Sequence, residues 1–335
     1  MTTGERARLR PVATGQRVRV SVPATVGNVG PGFDCIGLAL DLRDELTVIT
    51  TDPGAGPALT VRVAGEAGQD VPRDETHLVV RTIRRTLERA GYRAPGLHLD
   101  AVNVIPHGRG LGSSAAAIVS GVLAANALLP PDARADGEET FQWCSRLEGH
   151  PDNVAPALFG SLVVTWARDD GTFGHAVVPV APSISPVMAV PAMELSTEVS
   201  RGLLPSSVPH AHAAANAGRA ALLVHAIGSA PELLAPATRD YLHQDARAGA
   251  MPASAELLRT LREQGFAAVI SGAGPSVLTL AVDPVQRDAV VRAIGRHRDE
   301  TADGARWTVR TPAVGREGAR MEEHRGSSDI STIIW

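Results

Sequence analysis

With 335 residues, 44% of them hydrophobic and 20% charged, the chain is too long for one core and has the composition of a globular protein of two domains. A net charge of −4, with no basic stretch interleaved with aromatics, argues against nucleic acid as a partner, and no apolar run reaches membrane-spanning length. Cys35 and Cys144 are too few for a disulfide framework, and all 32 basic side chains are Arg, so no lysine can serve any site.

Met1 to Gln16 carries Arg6, Arg8 and Arg10 with no apolar region behind them. It reads as a flexible polar tail over 1–16 and not as a secretory signal, which points to a cytoplasmic protein. Val18, Val20 and Val22 alternate with polar residues as in a half-buried strand. Ala24 to Gly37 is rich in turn residues, and Leu38 to Thr50 and Leu59 to Val63 resume strand character. Asp74 reads as the N-cap of a helix whose Val79, Ile83 and Leu87 share a face and which Gly91 stops. Ala101 to Ile105 is strand-like, and Pro106 to Gly112 is a glycine-rich loop. From Ser113 to Leu129 the residues are small and apolar, as in a helix.

Phe141 to Leu147 reads as a second helical piece, and Ser161 to Trp166 as a strand. A loose domain boundary near residue 180 gives an N-terminal domain over 17–180, a C-terminal domain over 181–315 and a polar tail over 316–335. Val187 to Val190, Phe266 to Ile270, Val277 to Val282 and Trp307 to Val309 read as strands. Helices are expected over Ala213 to Ile227, after a Ser254 cap, and from Asp283-Pro284 to about Gly295. The pattern describes an α+β protein with an antiparallel sheet backed by helices. The closing Ile333-Ile334-Trp335 has no evident place.

Four segments carry chemistry. Pro106 to Ala117 reads P-H-G-R-G-L-G-S-S-A-A-A. A glycine-rich turn opening a helix aims unpaired backbone N–H groups, and the positive end of the helix dipole, at one spot that suits phosphate. It is no Walker loop, which needs a lysine, and Gly108, Gly110 and Gly112 lack the dinucleotide spacing. Ser113 and Ser114 suit either a helix cap or a Mg²⁺ ligand, since Mg²⁺ is held by one or two protein oxygens plus phosphate oxygens. Glu148 to Asn153 places a Glu, a His, an Asp and an Asn within six residues. Glu148 can complete a Mg²⁺ site. Asp152 and Asn153 can each cap a helix, yet a cap needs only one of them. His150 either meets a substrate or fills the loop. In Ala24 to Gly37, Asn28 and Asp34 suit a turn or the grip of an ammonium group. Ser271 to Ser276 is a β-turn or an anion-supporting loop.

Together these segments resemble the GHMP kinase superfamily, whose P-x-x-x-G-L-G-S-S-A-A signature Pro106 to Ala116 matches in full. Within it, P-A-T-V-G-N-V-G-P-G-F-D (Pro23 to Asp34), E-G-H-P-D-N-V-A-P-A (Glu148 to Ala157), T-E-V-S-R (Thr197 to Arg201), V-P-H (Val208 to His210), H-Q-D-A-R (His243 to Arg247) and S-G-A-G-P-S resemble the homoserine kinase branch. The match spans residues 17 to 310. The resemblance implies an N-terminal domain like ribosomal protein S5 domain 2 and a ferredoxin-like C-terminal domain. It implies Mg-ATP and transfer of the γ-phosphate to the side-chain hydroxyl of homoserine, in threonine biosynthesis. A small-molecule substrate is the partner implied, with no nucleic acid and no membrane. A homodimer is left open.

By the same resemblance, the nucleotide site comprises Pro106, Gly108, Arg109, Gly110, Leu111, Gly112, Ser113, Ser114, Ala115, Ala116, Gly272 and Gly274. Asn28, Asp34 and Asp152 would engage the ammonium end, Arg201 and Arg247 the α-carboxylate, and Asn153 the hydroxyl, with His150 beside it. Ser114 and Glu148 would hold Mg²⁺. Asn153, Glu148, Asp152 and Arg247 form the catalytic set. Phosphoryl transfer asks mainly for positioning and charge stabilisation, so a dedicated base is dispensable. The chain departs from the branch at Val26-Gly27, where Ser-Ala is usual, and at Asp245-Ala246, where Pro-Tyr is common. These changes leave open a kinase of another small hydroxy amino acid or alcohol. A nucleotide-binding regulator without catalysis is a third reading.

Overall fold

The computed structural model describes residues 9–54, 56–300, 307–324 and 330–334. A short strand β1 (Arg10–Pro11) pairs with β5 (Tyr92–Arg93), so the described part of the expected N-terminal tail is tied down; residues 1–8 lie outside the described residues.

Strands β2 (Arg17–Gly27) and β3 (Ile36–Thr50) form the spine of an eight-stranded sheet. Val18, Val20 and Val22 are buried while Arg17 and Arg19 are exposed, the period of two that fixes which face meets the core. The two strands run antiparallel, with a register shift at Pro23/Ala24, where proline has no N–H to give. On one side β6 (Leu97–Asn103) pairs with β3, and β4 (Leu59–Gly65) runs parallel to β6. Strand β7 (Leu162–Ala167) joins the start of β3 and carries β8 (Phe173–Val178).

The far edge of this sheet corrects the expectation of a polar C-terminal tail. Strand β13 (Arg320–His324) pairs antiparallel with β2, and β14 (Ile330–Ile334) with β13. Met321 and Glu323 alternate inward. Glu323 is tolerated there because Arg134 meets its two oxygens at 2.5 and 3.1 Å. Ile333 and Ile334 belong to the outer strand, and Trp335 lies outside the described residues.

Helices α1 (Leu78–Arg89), α2 (Ser113–Leu128), α3 (Gly137–Glu148) and α4 (Val154–Phe159) accompany this sheet, α2 packing on β2, α1 and α3. Every residue from Ile118 to Leu128 is buried, which explains a helix apolar on all sides. Asp74 does not cap α1; its carboxylate accepts from the N–H and hydroxyl of Thr76, closing a turn before His77 leads into the helix.

The chain leaves the eight-stranded sheet after Val178 and enters a second, antiparallel sheet at β9 (Ser185–Pro191). Its order is β10 (Ala268–Ile270), β11 (Val277–Ala281), β9, β12 (Trp307–Arg310). Between β9 and β10 lie α5 (Thr197–Gly202), α6 (His210–Ser229), α7 (Leu234–Ala237), α8 (Gln244–Arg247) and α9 (Pro252–Glu263); α10 (Pro284–Glu300) follows β11. Leu257, Leu261, Val290 and Ile294 of α9 and α10 pack with Val187, Ala189 and Ile270 in a separate core. Ser254 lies inside α9 and donates to the Pro275 carbonyl at 2.6 Å, so it is a tether and not a cap, and α10 continues past Gly295 to Glu300.

Candidate active site

The glycine-rich loop joins β6 to α2. Gly112 sits at the N-cap of α2 with φ of 72°, a left-handed conformation that glycine adopts without strain. A Cβ there would lie 2.0 Å from Thr25 Oγ1, and a Cβ on Gly110 would lie 2.1 Å from the Ser271 carbonyl. The loop is therefore pressed between β2 and the 271–276 turn. Ser271 Oγ donates to the Gly110 carbonyl at 2.6 Å, Thr25 N–H to the Leu111 carbonyl at 3.0 Å, and Gly272 N–H to the Gly27 carbonyl at 3.1 Å. Three segments far apart in sequence meet here, and the loop amides are held rigidly at the start of α2.

Helix α3 delivers the acidic group. Asp136 and Glu139 form a reciprocal capping box at its start, and Gly149, with φ of 92°, ends it one residue after Glu148. Glu148 Oε2 accepts from Ser114 Oγ at 2.8 Å. Burial raises the Glu148 pKa more than the Ser114 hydrogen bond lowers it. His150 Nδ1 lies 2.6 Å from Asp152 Oδ1. Burial lowers the affinity of His150 for a proton, but Asp152 and Glu148 outweigh it and the pKa is raised. Asn153 stands at the N-cap position of α4 without its side chain capping the helix; its Oδ1 accepts from Thr25 Oγ1 at 2.9 Å. Neither Asp152 nor Asn153 is spent on capping.

Opposite these groups, Asp34 and Arg201 form a bidentate pair with N–O distances of 2.7 and 2.9 Å. Arg247 is only 2% exposed. Its Nε donates to the Ser200 carbonyl and Nη1 lies 3.1 Å from His243 Nδ1. Arg247 can only donate, so His243 Nδ1 accepts and Nε2 donates to the Gly30 carbonyl; burial, which lowers the His243 pKa, favours this neutral tautomer. Among the described residues no carboxylate lies within ion-pair distance of Arg247, and burial with the nearby Arg201 lowers its pKa. A desolvated guanidinium without a counter-ion invites an anion. Both guanidinium groups lie over the Phe33 ring, whose centroid is 5.8 Å from the Arg201 Cζ and 5.5 Å from that of Arg247.

Asn28, Asp34, Gly108, Gly110, Leu111, Gly112, Ser113, Ser114, Glu148, His150, Asp152, Asn153, Arg201, Arg247, Gly272 and Gly274 all line one cavity of about 170 Å³. Four residues of the expected nucleotide set do not. Pro106, Ala115 and Ala116 are buried beneath the loop, and Arg109 turns away to the carbonyls of His107, Pro191 and Ala192 and to Glu194. Asn28 lines the cavity, but its amide braces the loop, donating to the Gly272 carbonyl and accepting from the Asp34 N–H. Ala246 is exposed and lies outside the cavity. Cys35 is also outside it; burial, with Asp152 and Asp34 nearby, pushes its thiol up to about 11, which makes it no nucleophile. Sequence reasoning missed Thr25, Phe33, Ser196 and Thr197. Thr25, Phe33 and Thr197 stand inside quoted motifs; Ser196 carried no signal beyond polarity.

A second cavity, of about 340 Å³, shares Gly108, Ser113 and Ser114 with the first and is walled by Leu46, Val79, Ala101 and Ala117 beside Asp44 and His77. Asp44 Oδ1 accepts from the N–H groups of Val104 and Ile105, yet burial pushes its carboxyl up to about 6.

The family model of the GHMP kinases N terminal domain matches residues 77–161, and that of the GHMP kinases C terminal region matches 218–299. A homoserine kinase of Clavibacter michiganensis is 48% identical over 311 residues, covering 93% of this chain and 96% of the relative. A homoserine kinase of Streptomyces coelicolor is 45% identical, over 95% of this chain and 99% of that one. The crystal structure of homoserine kinase from Cytophaga hutchinsonii superposes with a TM-score of 0.78 at 27% identity, covering 92% of this chain and 98% of that chain. The two-domain architecture, the loop at the head of α2 and these relatives agree, and the chain belongs to the homoserine kinase family of the GHMP kinases.

Proposed function

We propose that this chain transfers the γ-phosphate of ATP to the side-chain hydroxyl of L-homoserine, giving O-phosphohomoserine and ADP, with the 170 Å³ cavity holding the reacting groups. Its family makes it an ATP-dependent phosphotransferase with an alcohol acceptor. The observation that carries the acceptor assignment is Arg247, a buried cation that lines the cavity with no carboxylate partner among the described residues. It awaits the α-carboxylate. The Asp34–Arg201 pair supplies both signs needed by a zwitterion: the incoming carboxylate takes over Arg201 and the ammonium takes over Asp34, so neither charge is left unpaired.

The triphosphate lies along the amides from Gly110 to Ser114, and the nucleoside enters the adjoining 340 Å³ cavity, which opens on the same residues. Ser114 Oγ and Glu148, already in contact, fit a Mg²⁺ site in which phosphate oxygens and water complete the shell; bound there, the ion would neutralise phosphate charge. Among the described residues no cluster of three metal-ligating side chains exists, which suits a metal that arrives with its nucleotide.

Asn153 orients the hydroxyl for in-line attack, and Asp152, held by His150 through Oδ1, meets the ammonium end beside Asp34. The hydroxyl oxygen forms the new bond to the γ-phosphorus, the bond to the bridging oxygen breaks, and its electron pair leaves with ADP. The hydroxyl proton departs late, to a phosphoryl oxygen, so the raised pKa of His150 is no obstacle to catalysis.

An ADP-release assay with L-homoserine, L-threonine, L-serine and mevalonate tests the assignment. Homoserine is expected to give the highest kcat/KM. Faster turnover of another alcohol would place the chain on a different acceptor, and ATP binding without turnover of any would leave a nucleotide-binding regulator.

A further inference from the structure

Thr25 is fully buried in β2, 128 residues before Asn153, and its hydroxyl donates to Asn153 Oδ1 at 2.9 Å. The same residue gives its N–H to the Leu111 carbonyl at 3.0 Å, and its Oγ1 occupies the place next to Gly112 where a Cβ would sit. Thr25 thus touches Asn153 and the phosphate loop at once. On the other side of Asn153, Nδ2 lies 2.6 Å and Asp152 Oδ2 2.4 Å from the position a Cβ on Gly27 would take.

An asparagine amide can present either its carbonyl or its N–H₂ to a ligand, and the choice is set by what the other half bonds. Here the carbonyl is engaged by a hydroxyl donor that no solvent reaches. We propose that Thr25 is a positioning residue for phosphoryl transfer: it fixes the amide of Asn153 so that N–H, and not C=O, meets the acceptor hydroxyl, and locks that amide to the loop that carries the triphosphate. The inference rests on the reading that Asn153 faces the acceptor hydroxyl. Receiving an N–H bond, the hydroxyl oxygen keeps its own proton directed away from Asn153, and a lone pair is aimed at the γ-phosphorus. A valine at position 25 has nearly the same shape but no donor, and frees the amide to turn.

The test is a double-mutant cycle read in kcat and in both KM values. Thr25→Val is expected to lower kcat with homoserine roughly ten-fold, about the worth of one hydrogen bond, while the KM for ATP stays unchanged. Thr25→Ser, which restores the hydroxyl, is expected to recover most of the loss. Asn153→Ala is expected to lower kcat further, and adding Thr25→Val to it to change nothing more. Losses that simply add, or a Ser variant no better than Val, would overturn the role of Thr25 and leave that of Asn153 standing. An Asn153→Ala enzyme with the parent kcat would overturn the underlying reading and this inference with it. If Thr25→Val fails to bind ATP, the comparison of Thr25→Ser with Thr25→Cys, of which only serine is a strong donor, decides the same question.

Discussion

Asp34 and Arg201 clasp one another with two hydrogen bonds of 2.7 and 2.9 Å, joining a left-handed residue of the β2–β3 loop to the last turn of α5. The pair shares the cavity with Arg247 and Asp152, so the acceptor end holds two guanidinium groups and two carboxylates before any substrate arrives. A zwitterion leaves the net charge unchanged and gives groups of each sign a partner: its carboxylate meets the guanidinium groups and its ammonium the carboxylates.

Replacing Arg201 with Met is therefore expected to raise the KM for homoserine by an amount worth about 1.5–3 kcal/mol, because the substrate carboxylate loses a half-buried, charge-assisted partner and Asp34 is left alone. The KM for ATP is expected to stay within a factor of about two, a change of well under 1 kcal/mol. Steady-state kinetics with each substrate varied separately checks the split; equal effects on both KM values would remove Arg201 from the acceptor end.

Glu148 gives a pH prediction. Its pKa is raised by burial, and only the ionised form can ligate a cation. Activity is then present above this raised pKa and lost as pH falls through it, so the acid limb of kcat/KM lies above the ordinary range for glutamate. Saturating Mg²⁺ favours the carboxylate and is expected to move the limb to lower pH. Glu148→Gln is expected to abolish that movement and to demand more Mg²⁺. A limb that ignores magnesium would contradict the assignment.

Gly27 gives a steric prediction. A Cβ at this position would lie 2.4 Å from Asp152 Oδ2 and 2.6 Å from Asn153 Nδ2, on two groups assigned to the acceptor. Gly27→Ala is expected to lower kcat/KM for homoserine roughly ten-fold through a displacement of about an ångström, with ATP binding intact. Unchanged kinetics would mean that neither group meets the acceptor.

Glu323 and Arg134 tie the last strands to the far end of the phosphate-loop helix. Arg134 also donates to the carbonyls of Ala127 and Leu129, where α2 ends. Glu323→Ala leaves that cation without its buried partner and is expected to destabilise the fold by about 3 kcal/mol. Urea unfolding of the two proteins measures it; a loss below about 1 kcal/mol, the range of an exposed pair, would contradict the burial argument.

The phosphate loop could be read directly from the chain because its function is local: three glycines, two serines and a helix start lie within seven residues. Glu148, His150, Asp152 and Asn153 were legible for the same reason. What escaped the sequence depends on pairs far apart in the chain. Nothing around Glu323 indicates that Arg134 waits 189 residues earlier, so the segment read as a polar tail. Nothing around Arg109 reveals that its guanidinium is claimed by Pro191 and Ala192. Asp74 and Ser254 have the right residue types for caps, but hydrogen bonds to Thr76 and Pro275 took their side chains elsewhere. Ala246, a departure from the family pattern, has no bearing on the acceptor because it faces solvent; Gly27 does, because it touches the groups at the site.

The most direct test is a crystal structure of the protein with Mg²⁺, a non-hydrolysable ATP analogue and L-homoserine. The account predicts the β- and γ-phosphates within hydrogen-bonding distance of the amides of Gly110 to Ser114, and the homoserine carboxylate on Arg247. A polyphosphate docked away from that loop would contradict it.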